Sequence, residues 1–470
     1  MRIAILTSEA VPFAKTGGLA DVSGALPKAL TELDVDAKLI LPLYDKIDRT
    51  LLNGGSVENV HVEWRGQVHH VRFWFSDAAG APAYLLETPE FFGRPAIYGY
   101  NDDHIRFAFF SRAALALLKY LDWRPDVVHG NDWPCGFAVA ELRARRPHEE
   151  FFQRTKTLFS IHNLSYQGHF DAGDLWWLGF GEPPERDDFM LDRHASALKA
   201  GLIAADALST VSPTYAREIQ TPKLGHGLDW LLRARRDRLA GITNGVDYDI
   251  WNPETDPDIA ANYSAGDLSG KRECKLDLLR RFNLPQEPDR PLLANISRLV
   301  PQKGYDLIEQ ISGWILETGS FFIALGAGEY EDFLQRWHDR APHQVGIYKG
   351  HALEPLAHQI EAGADMFLMP SAFEPCGLNQ MYSMRYGTVP IVRATGGLED
   401  TVQQFNPEDG TGTGFKFGPY EAGALLEKIR EALYFYARPE QWQKIQHNGM
   451  LVDNSWDAAA RKYLELYREI

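Results

Sequence analysis

Two cations, Arg298 and Lys303, stand five positions apart in the turn Ser297-Arg298-Leu299-Val300-Pro301-Gln302-Lys303-Gly304, between an apolar run and a segment of helical spacing. Such a pair suits a leaving diphosphate, Arg through its planar fork and Lys as a point charge. Two like charges this close repel unless an anion joins them, which makes surface salt bridging the weaker reading. A carboxylate, Glu374, opens the turn Glu374-Pro375-Cys376-Gly377-Leu378, and a second glycine turn follows at Thr395-Gly396-Gly397. Strand-to-helix turns of this kind lie at the carboxyl edge of a parallel sheet, where helix N-termini offer N–H groups to anions. Glycines that serve close packing would produce the same pattern. At the other end of the chain Lys15-Thr16-Gly17-Gly18 lies between a first strand and a first helix; there glycine lets the backbone approach a ligand and Lys15 can bring a cation to a diphosphate or its sugar. Without the flanking glycines Lys15 would read as a solvated loop lysine. His162 and Asn163, at the end of a further apolar run, suit hydrogen bonds to sugar hydroxyls. Asp132 is placed for polar work after another run, or for capping the helix that follows.

The elements that must position these groups follow from apolar periodicity. Residues 3–6 form a strand, and Leu19, Val22, Leu26, Ala29, Leu30 and Leu33 recur at helical spacing. Further strands are expected at 37–41, 126–129, 157–161 and 207–211, a β-rich excursion at 53–86, and helices at 106–121 and 195–205. Ser212 is the expected cap of a short helix. Residues 228–238, with Arg233, Arg235, Arg236 and Arg238, read as a solvated basic helix face. Residues 251–267, rich in Pro, Asp and Asn and without periodicity, read as the linker zone between two domains. The alternation then restarts, with strands at 292–296, 321–325, 345–350, 366–369, 389–392 and near 415–417 and a last amphipathic helix at 455–470. The expected fold class is α/β, with two Rossmann-like doubly wound domains, 1–245 and 246–452, facing a central cleft, and a C-terminal helix, 453–470.

Composition narrows the function. A net charge of −16 without a basic face argues against nucleic acid, and an uncharged polymer is compatible with it. Three scattered cysteines, Cys135, Cys274 and Cys376, fit neither a disulfide framework nor a zinc site and point to a reducing cytoplasm. No apolar run has the length of a signal-peptide core or of a membrane span, so no membrane partner is expected. Cys376 shares the Glu374 turn, but a small packed side chain is the better reading than a nucleophile.

Lys-Thr-Gly-Gly-Leu-Ala-Asp-Val at 15–22, Ser-Ala-Phe-Glu-Pro-Cys-Gly-Leu-Asn-Gln at 371–380 and Thr-Gly-Gly-Leu-Glu-Asp-Thr-Val at 395–402 resemble the bacterial glycogen synthase and plant starch synthase family. The likeness runs from Met1 to the last helix. It implies the GT-B fold and a retaining transfer of glucose from ADP-glucose to the non-reducing end of an α-1,4-glucan. It further implies donor contacts from Lys15, Gly17, Gly18, Asn163, Asn244, Pro375, Cys376, Gly377, Leu378, Thr395, Gly396 and Gly397. His162 would sit beside the reacting sugar, Asp132 at the sugar site, and Asp21 and Tyr98 on the glucan side; for Tyr98 a packed loop tyrosine is nearly as good a reading. The final helix would pack back on the first domain.

A covalent retaining route needs two carboxylates about 5 Å apart. Only Glu374 is available near the centre, because Tyr382 stands where related transferases carry a second Glu. A front-face substitution is therefore favoured, in which departing ADP takes the acceptor proton, Arg298 and Lys303 stabilise its charge, and Glu374 orients the sugar or steadies the anomeric carbon. No metal or other cofactor is expected, since two cations supply the charge and no Asp-x-Asp cluster is placed for one. Where many glycogen synthases have an adenine-stacking aromatic in Gly-Tyr-His-Glu, this chain has Gly350-His351-Ala352-Leu353-Glu354, with Tyr348 as a substitute. The alternatives are a UDP-glucose-using retaining transferase of sucrose- or trehalose-forming type, and a non-catalytic glucan-binding protein.

Overall fold

The computed structural model describes residues 1–350 and 354–470. The chain forms two compact units, Met1–Gly245 with Trp456–Ile470, and Val246–Ser455.

The sheet of the first unit contains β1 (Arg2–Leu6), β2 (Asp36–Pro42), β3 (Ser56–Trp64), β4 (Gln67–Ser76), β5 (Ala83–Glu87), β6 (Val127–Asn131) and β7 (Lys156–Ile161). A small antiparallel sheet of β8 (His169–Phe170), β9 (Met190–Leu191) and β10 (His194–Ser196) interrupts it before β11 (Ala207–Thr210) and β12 (Leu239–Gly241). The large sheet runs β12-β11-β7-β6-β1-β2-β5-β4-β3. Its first seven strands are parallel, and the β3–β4 hairpin is added antiparallel at β5. From β1 the chain fills one side through β2 and β5, then returns to the other through β6, so the order reverses between β1 and β6. Ligands of such sheets bind beyond the carboxyl ends of the strands at that reversal. The segments leaving β1, β6 and β7 there carry Lys15, Asp132 and His162.

The second unit is a six-stranded parallel sheet, β15-β14-β13-β16-β17-β18. Its strands are β13 (Leu292–Ile296), β14 (Phe321–Gly326), β15 (Val345–Lys349), β16 (Met366–Met369), β17 (Val389–Arg393) and β18 (Phe415–Phe417). Alternate residues feed two cores, as the two-residue strand period requires. Leu293, Phe322, Ala324, Met366 and Leu368 pack on one face; Leu292, Ala294, Phe321, Ile323, Phe367 and Met369 pack on the other. Burial on both faces explains why these strands read as unbroken apolar runs. The order reverses between β13 and β16. Their amino ends are held together by Asp365, which accepts the Leu292 N–H at 2.8 Å and the Lys275 ammonium at 2.5 Å. Lys275 also donates to the Arg290 carbonyl and the Tyr436 hydroxyl.

Several expectations are corrected. Residues 194–196 are strand, and the helix after them is Ala197–Ala204, capped by Ser196. Residues 228–238 are not one helix but a short one, Asp229–Ala234, and a 3-10 turn, Arg236–Arg238. Nor is Arg235 solvated: its guanidinium donates to the carbonyls of Leu202, Ile203 and Ala205, closing the end of Ala197–Ala204, where orphan carbonyls need donors. Residues 251–267 are a packed part of the second unit rather than a linker. Trp251 is stacked between His358 and Tyr382, each ring centroid 3.9 Å from it, and the Asp256 side chain is fully buried. Ser212 does cap its helix, accepting from the Tyr215 N–H at 3.1 Å. The last helix, Trp456–Glu469, belongs to the first unit, where the Tyr467 hydroxyl lies 2.8 Å from Nδ1 of buried His129 at the middle of β6. No helix among the described residues is long and apolar enough to cross a membrane.

Candidate active site

In the second unit the segments leaving β13 and β16 are sewn together by hydrogen bonds of their own. Ala372 N–H donates to the Gln302 carbonyl at 2.8 Å, and the Gln302 amide donates to the Phe373 carbonyl at 3.1 Å. Gly304 makes the approach possible, because it sits at φ +77° and a Cβ there would fall 2.2 Å from the Pro370 oxygen. The seam brings Lys303 Nζ to 2.6 Å from Glu374 Oε2, to which the Ser371 hydroxyl also donates at 3.1 Å. The anion that meets Lys303 is thus Glu374, a pairing the sequence did not reveal. Glu374 is only 6% exposed, so its carboxylate is held in one place. Lys303 Nζ makes no other bond among the described residues and keeps donors for a ligand. Arg298 is exposed and no described residue pairs with its guanidinium.

The two glycine turns divide their roles. A Cβ on Gly396 would lie 1.9 Å from the Glu374 oxygen, and one on Gly397 would lie 2.2 Å from the Cys376 oxygen. These glycines therefore serve the close packing of one turn on the other. Thr395 N–H donates to Arg393 O, and Gly397 N–H is spent on the carbonyls of Glu374 and Pro375. The expectation that Thr395–Gly397 offers its N–H groups to an anion is corrected for those two residues. By contrast, the N–H groups of Gly377 and Leu378 have no acceptor among the described residues. Cys376 is buried, with its carbonyl accepting from the Gln380 amide at 3.2 Å. Arg393, overlooked in the sequence, fixes the same loop by donating to the carbonyls of Ser371, Ala372 and Gly418. Its signal was a cation at the carboxyl end of an apolar run.

In the first unit the Lys15 ammonium lies 2.6 Å from Asp21 Oδ1, with half the lysine side chain exposed. The helix Gly18–Glu32 begins on Gly17 without a side-chain cap, and the N–H groups of Gly18 and Leu19 meet no acceptor among the described residues. Glu9 is the residue missed here. It accepts the Thr16 N–H at 2.5 Å and the Gly17 N–H at 3.1 Å on Oε2, and the Tyr98 hydroxyl at 2.9 Å on Oε1. Burial raises its carboxyl above the ordinary value, with those three bonds opposing the rise. A carboxylate just past the first apolar run, beside a glycine loop, was the available signal. The Tyr98 hydroxyl is thereby committed to protein, to Glu9 and to Ser8 Oγ at 2.7 Å, as in a packed loop tyrosine.

Asp132 does not cap its helix with its side chain. It is the helix's first residue, at φ +54°, and its carboxylate accepts the backbone N–H groups of His162, at 2.7 Å, and Asn163. Burial nevertheless pushes Asp132 up to about 7. The His162 ring is held by Asn131: the Asn131 amide donates to Leu6 O, which leaves its oxygen to accept from Nε2 at 2.9 Å. Nε2 must therefore carry the proton and Nδ1 remains an acceptor. Burial lowers the His162 pKa to about 3, so the ring is neutral at physiological pH. Nitrogen NMR of labelled protein is expected to show this neutral Nε2–H tautomer from about pH 5 to about pH 9; a ring titrating near 6.5 contradicts the assignment. The Asn163 oxygen is occupied by the N–H and hydroxyl of Ser165. Asn244 is 7% exposed and its Oδ1 has no partner among the described residues, an unusual state for a buried acceptor and one that a ligand hydroxyl would relieve.

Tyr382, at the place of a possible second carboxylate, lies flat on Trp251, and Tyr348 packs against the second unit's core. The expected adenine-contact stretch, His351 to Leu353, lies outside the described residues. The Asp-x-Asp sequence Asp256-Pro257-Asp258 groups with His358 so that one ligand atom of each lies within 4.8 Å of the others. There Asp256 Oδ2 is already engaged by His358 Nδ1 at 2.7 Å and the Tyr386 hydroxyl at 2.5 Å.

Residues 2–234 match the family model described as starch synthase catalytic domain, and residues 279–449 match the glycosyl transferases group 1 model. A glycogen synthase of Geobacillus thermodenitrificans is 43% identical over 478 residues, covering 100% of this chain and 98% of that one. Among solved structures, the catalytic domain of starch synthase IV from Arabidopsis thaliana bound to ADP and acarbose superposes with a TM-score of 0.90 at 34% identity, covering 100% of this chain and 98% of that one. A sucrose-phosphate synthase from Thermosynechococcus elongatus covers the same shares at a TM-score of 0.62 and 18% identity, a likeness of fold alone. The chain belongs to the glycogen synthase and starch synthase family of glucosyltransferases, built on the GT-B fold.

Proposed function

We propose that the protein transfers glucose from ADP-glucose to the 4-hydroxyl at the non-reducing end of an α-1,4-glucan, with retention at the anomeric carbon. The observation that carries the choice of substrates is likeness over the whole of this chain to a starch synthase catalytic domain bound to ADP and acarbose. The second unit serves the nucleotide sugar: Arg298, Lys303 and the N–H groups of Gly377 and Leu378 take the diphosphate. The first serves the donor's diphosphate or sugar through Lys15, and its sugar through His162, Asn163 and Asn244, with Asp21 and Asp132 toward the glucan.

The step proceeds on one face of the sugar. The bond from the anomeric carbon to the β-phosphate oxygen breaks, and the bond to the acceptor O4 forms on the side just vacated. The O4 proton passes to the departing phosphate, so ADP leaves as the glycosidic bond closes. Charge grows on the phosphate, where Lys303 and Arg298 act; Glu374, pinned by Lys303 and Ser371, orients glucose hydroxyls or steadies positive charge at the anomeric carbon. No metal or other cofactor enters this scheme. Buried cysteines that form no disulfide among the described residues suit a cytoplasmic location.

The test is an incorporation assay with glycogen and either ADP-glucose or UDP-glucose, with and without EDTA. Transfer from ADP-glucose, unchanged by chelator, is expected. A preference for UDP-glucose, or no transfer to glucan, rejects the substrate choice in favour of a sucrose- or trehalose-type activity or a glucan-binding role. Loss of activity with EDTA that added metal restores rejects the metal-free step.

A further inference from the structure

We infer that Glu9 is a positioning residue that sets the conformation of the Lys15–Gly17 loop for the sugar-nucleotide donor; the inference rests on the donor role proposed for that loop. Glu9 is 4% exposed, and no described cation forms an ion pair with it. A buried carboxylate with no cation bonded to it, only the Lys46 charge acting from further off, is costly and persists where neutral donors satisfy it. Here three do so: the Thr16 N–H, the Gly17 N–H and the Tyr98 hydroxyl. A carboxylate has only acceptors, so it dictates where two successive peptide N–H groups must point. A neutral amide in the same space would turn its own NH₂ against one of these donors, or leave one of them unpaired.

What the loop retains for a ligand follows by subtraction. The Thr16 and Gly17 N–H groups are consumed, so an arriving diphosphate meets the N–H groups of Gly18 and Leu19 and the Lys15 ammonium. Glu9 occupies the donors that an anion would otherwise take one step deeper, which fixes how far into the loop an anion can settle. Space is open above the loop, because a Cβ added to Gly17 would meet nothing within 4 Å. Tyr98 extends the clamp: held between Ser8 and Glu9, it ties the segment before helix Asp103–Tyr120 to the same carboxylate.

The experiment measures kcat and KM for ADP-glucose and, separately, for a maltooligosaccharide in the intact protein and in the Glu9→Gln, Glu9→Ala and Tyr98→Phe variants, with thermal midpoints alongside. Glu9→Gln is expected to raise KM for ADP-glucose about tenfold or more while KM for the glucan stays within about twofold. Tyr98→Phe, which removes one of the three donors, is expected to act in the same direction by about threefold. Glu9→Ala tests the clamp with side-chain volume removed; if it fails to fold, the two milder variants still decide. Unchanged donor KM in Glu9→Gln overturns the inference and leaves the proposed function standing. So does a loss shared equally between both substrates that merely tracks a lowered thermal midpoint. If the unaltered protein cannot use ADP-glucose at all, the functional proposal fails first and takes this inference with it.

Discussion

Replacing Glu374 with alanine is expected to slow turnover by about a hundredfold to a thousandfold while the second unit still unfolds cooperatively. The size follows from where the carboxylate stands. It is buried in the seam between the segments leaving β13 and β16 and bonded to Lys303 at 2.6 Å and Ser371 at 3.1 Å. Removing it loses the carboxylate proposed to act at the sugar and also frees Lys303 to wander, so the ammonium is no longer held where charge is proposed to develop. Lys303→Ala is expected to lose activity on the same scale from the other side of the pair. The fold should tolerate either change, because Gln302 holds the seam through backbone partners that neither substitution removes. Steady-state rates with saturating donor and glucan, compared with thermal unfolding, check this. A Glu374→Ala rate within about threefold of the unaltered protein would remove the residue from the chemistry.

The second large effect falls on stability. Lys275→Met is expected to destabilise the second unit by about 3–5 kcal/mol, because it leaves Asp365 buried without its cation. The Lys275 and Asp365 side chains are only 4% and 12% exposed, so water cannot replace the lost partner cheaply. Asp365 would keep the Leu292 N–H and the Tyr436 hydroxyl but would lose the cation bonded to it at the amino ends of β13 and β16, with only the more distant Lys271 charge left to offset it. Hydrogen exchange of the β13 and β16 amides reads this locally and does not require the two units to unfold together. Protection that falls by less than about 1 kcal/mol would mean the pair contributes little beyond what water supplies.

Much of the fold was legible because parallel strands buried on both faces leave unbroken apolar runs. Residues 292–296, 321–325 and 366–369 could be placed within a residue or so for that reason. Short elements were harder. His194–Ser196 carries no period to distinguish a strand from the first turn of the following helix, and the hydrogen bonds to β8 and β9 decide it. Residues 251–267 looked like a linker because their order comes from distant partners, Trp251 on His358 and Tyr382, and Asp256 on Tyr386. Local sequence holds no trace of such contacts.

The site was legible as a set of turns but not as a set of bonds. Residue type and spacing placed Arg298, Lys303, Glu374 and the glycine turns at one sheet edge. Which cation pairs with Glu374, and which N–H groups are already spent, depends on how two loops meet. Glu9 and Arg393 escaped for the same reason: each acts through backbone groups remote in sequence, Thr16 and Gly17 for one, Ser371 and Ala372 for the other. Donor chemistry was read from loops, and the groups that shape those loops were not.

The most direct test of the central claim is a crystal structure with ADP bound. The diphosphate is expected within hydrogen-bonding reach of Lys303 and Arg298, drawing on the N–H groups of Gly377 and Leu378 that no described residue accepts, with Glu374 still held by Ser371. ADP bound elsewhere, with Lys303 and Arg298 touching none of its phosphate oxygens, would contradict it.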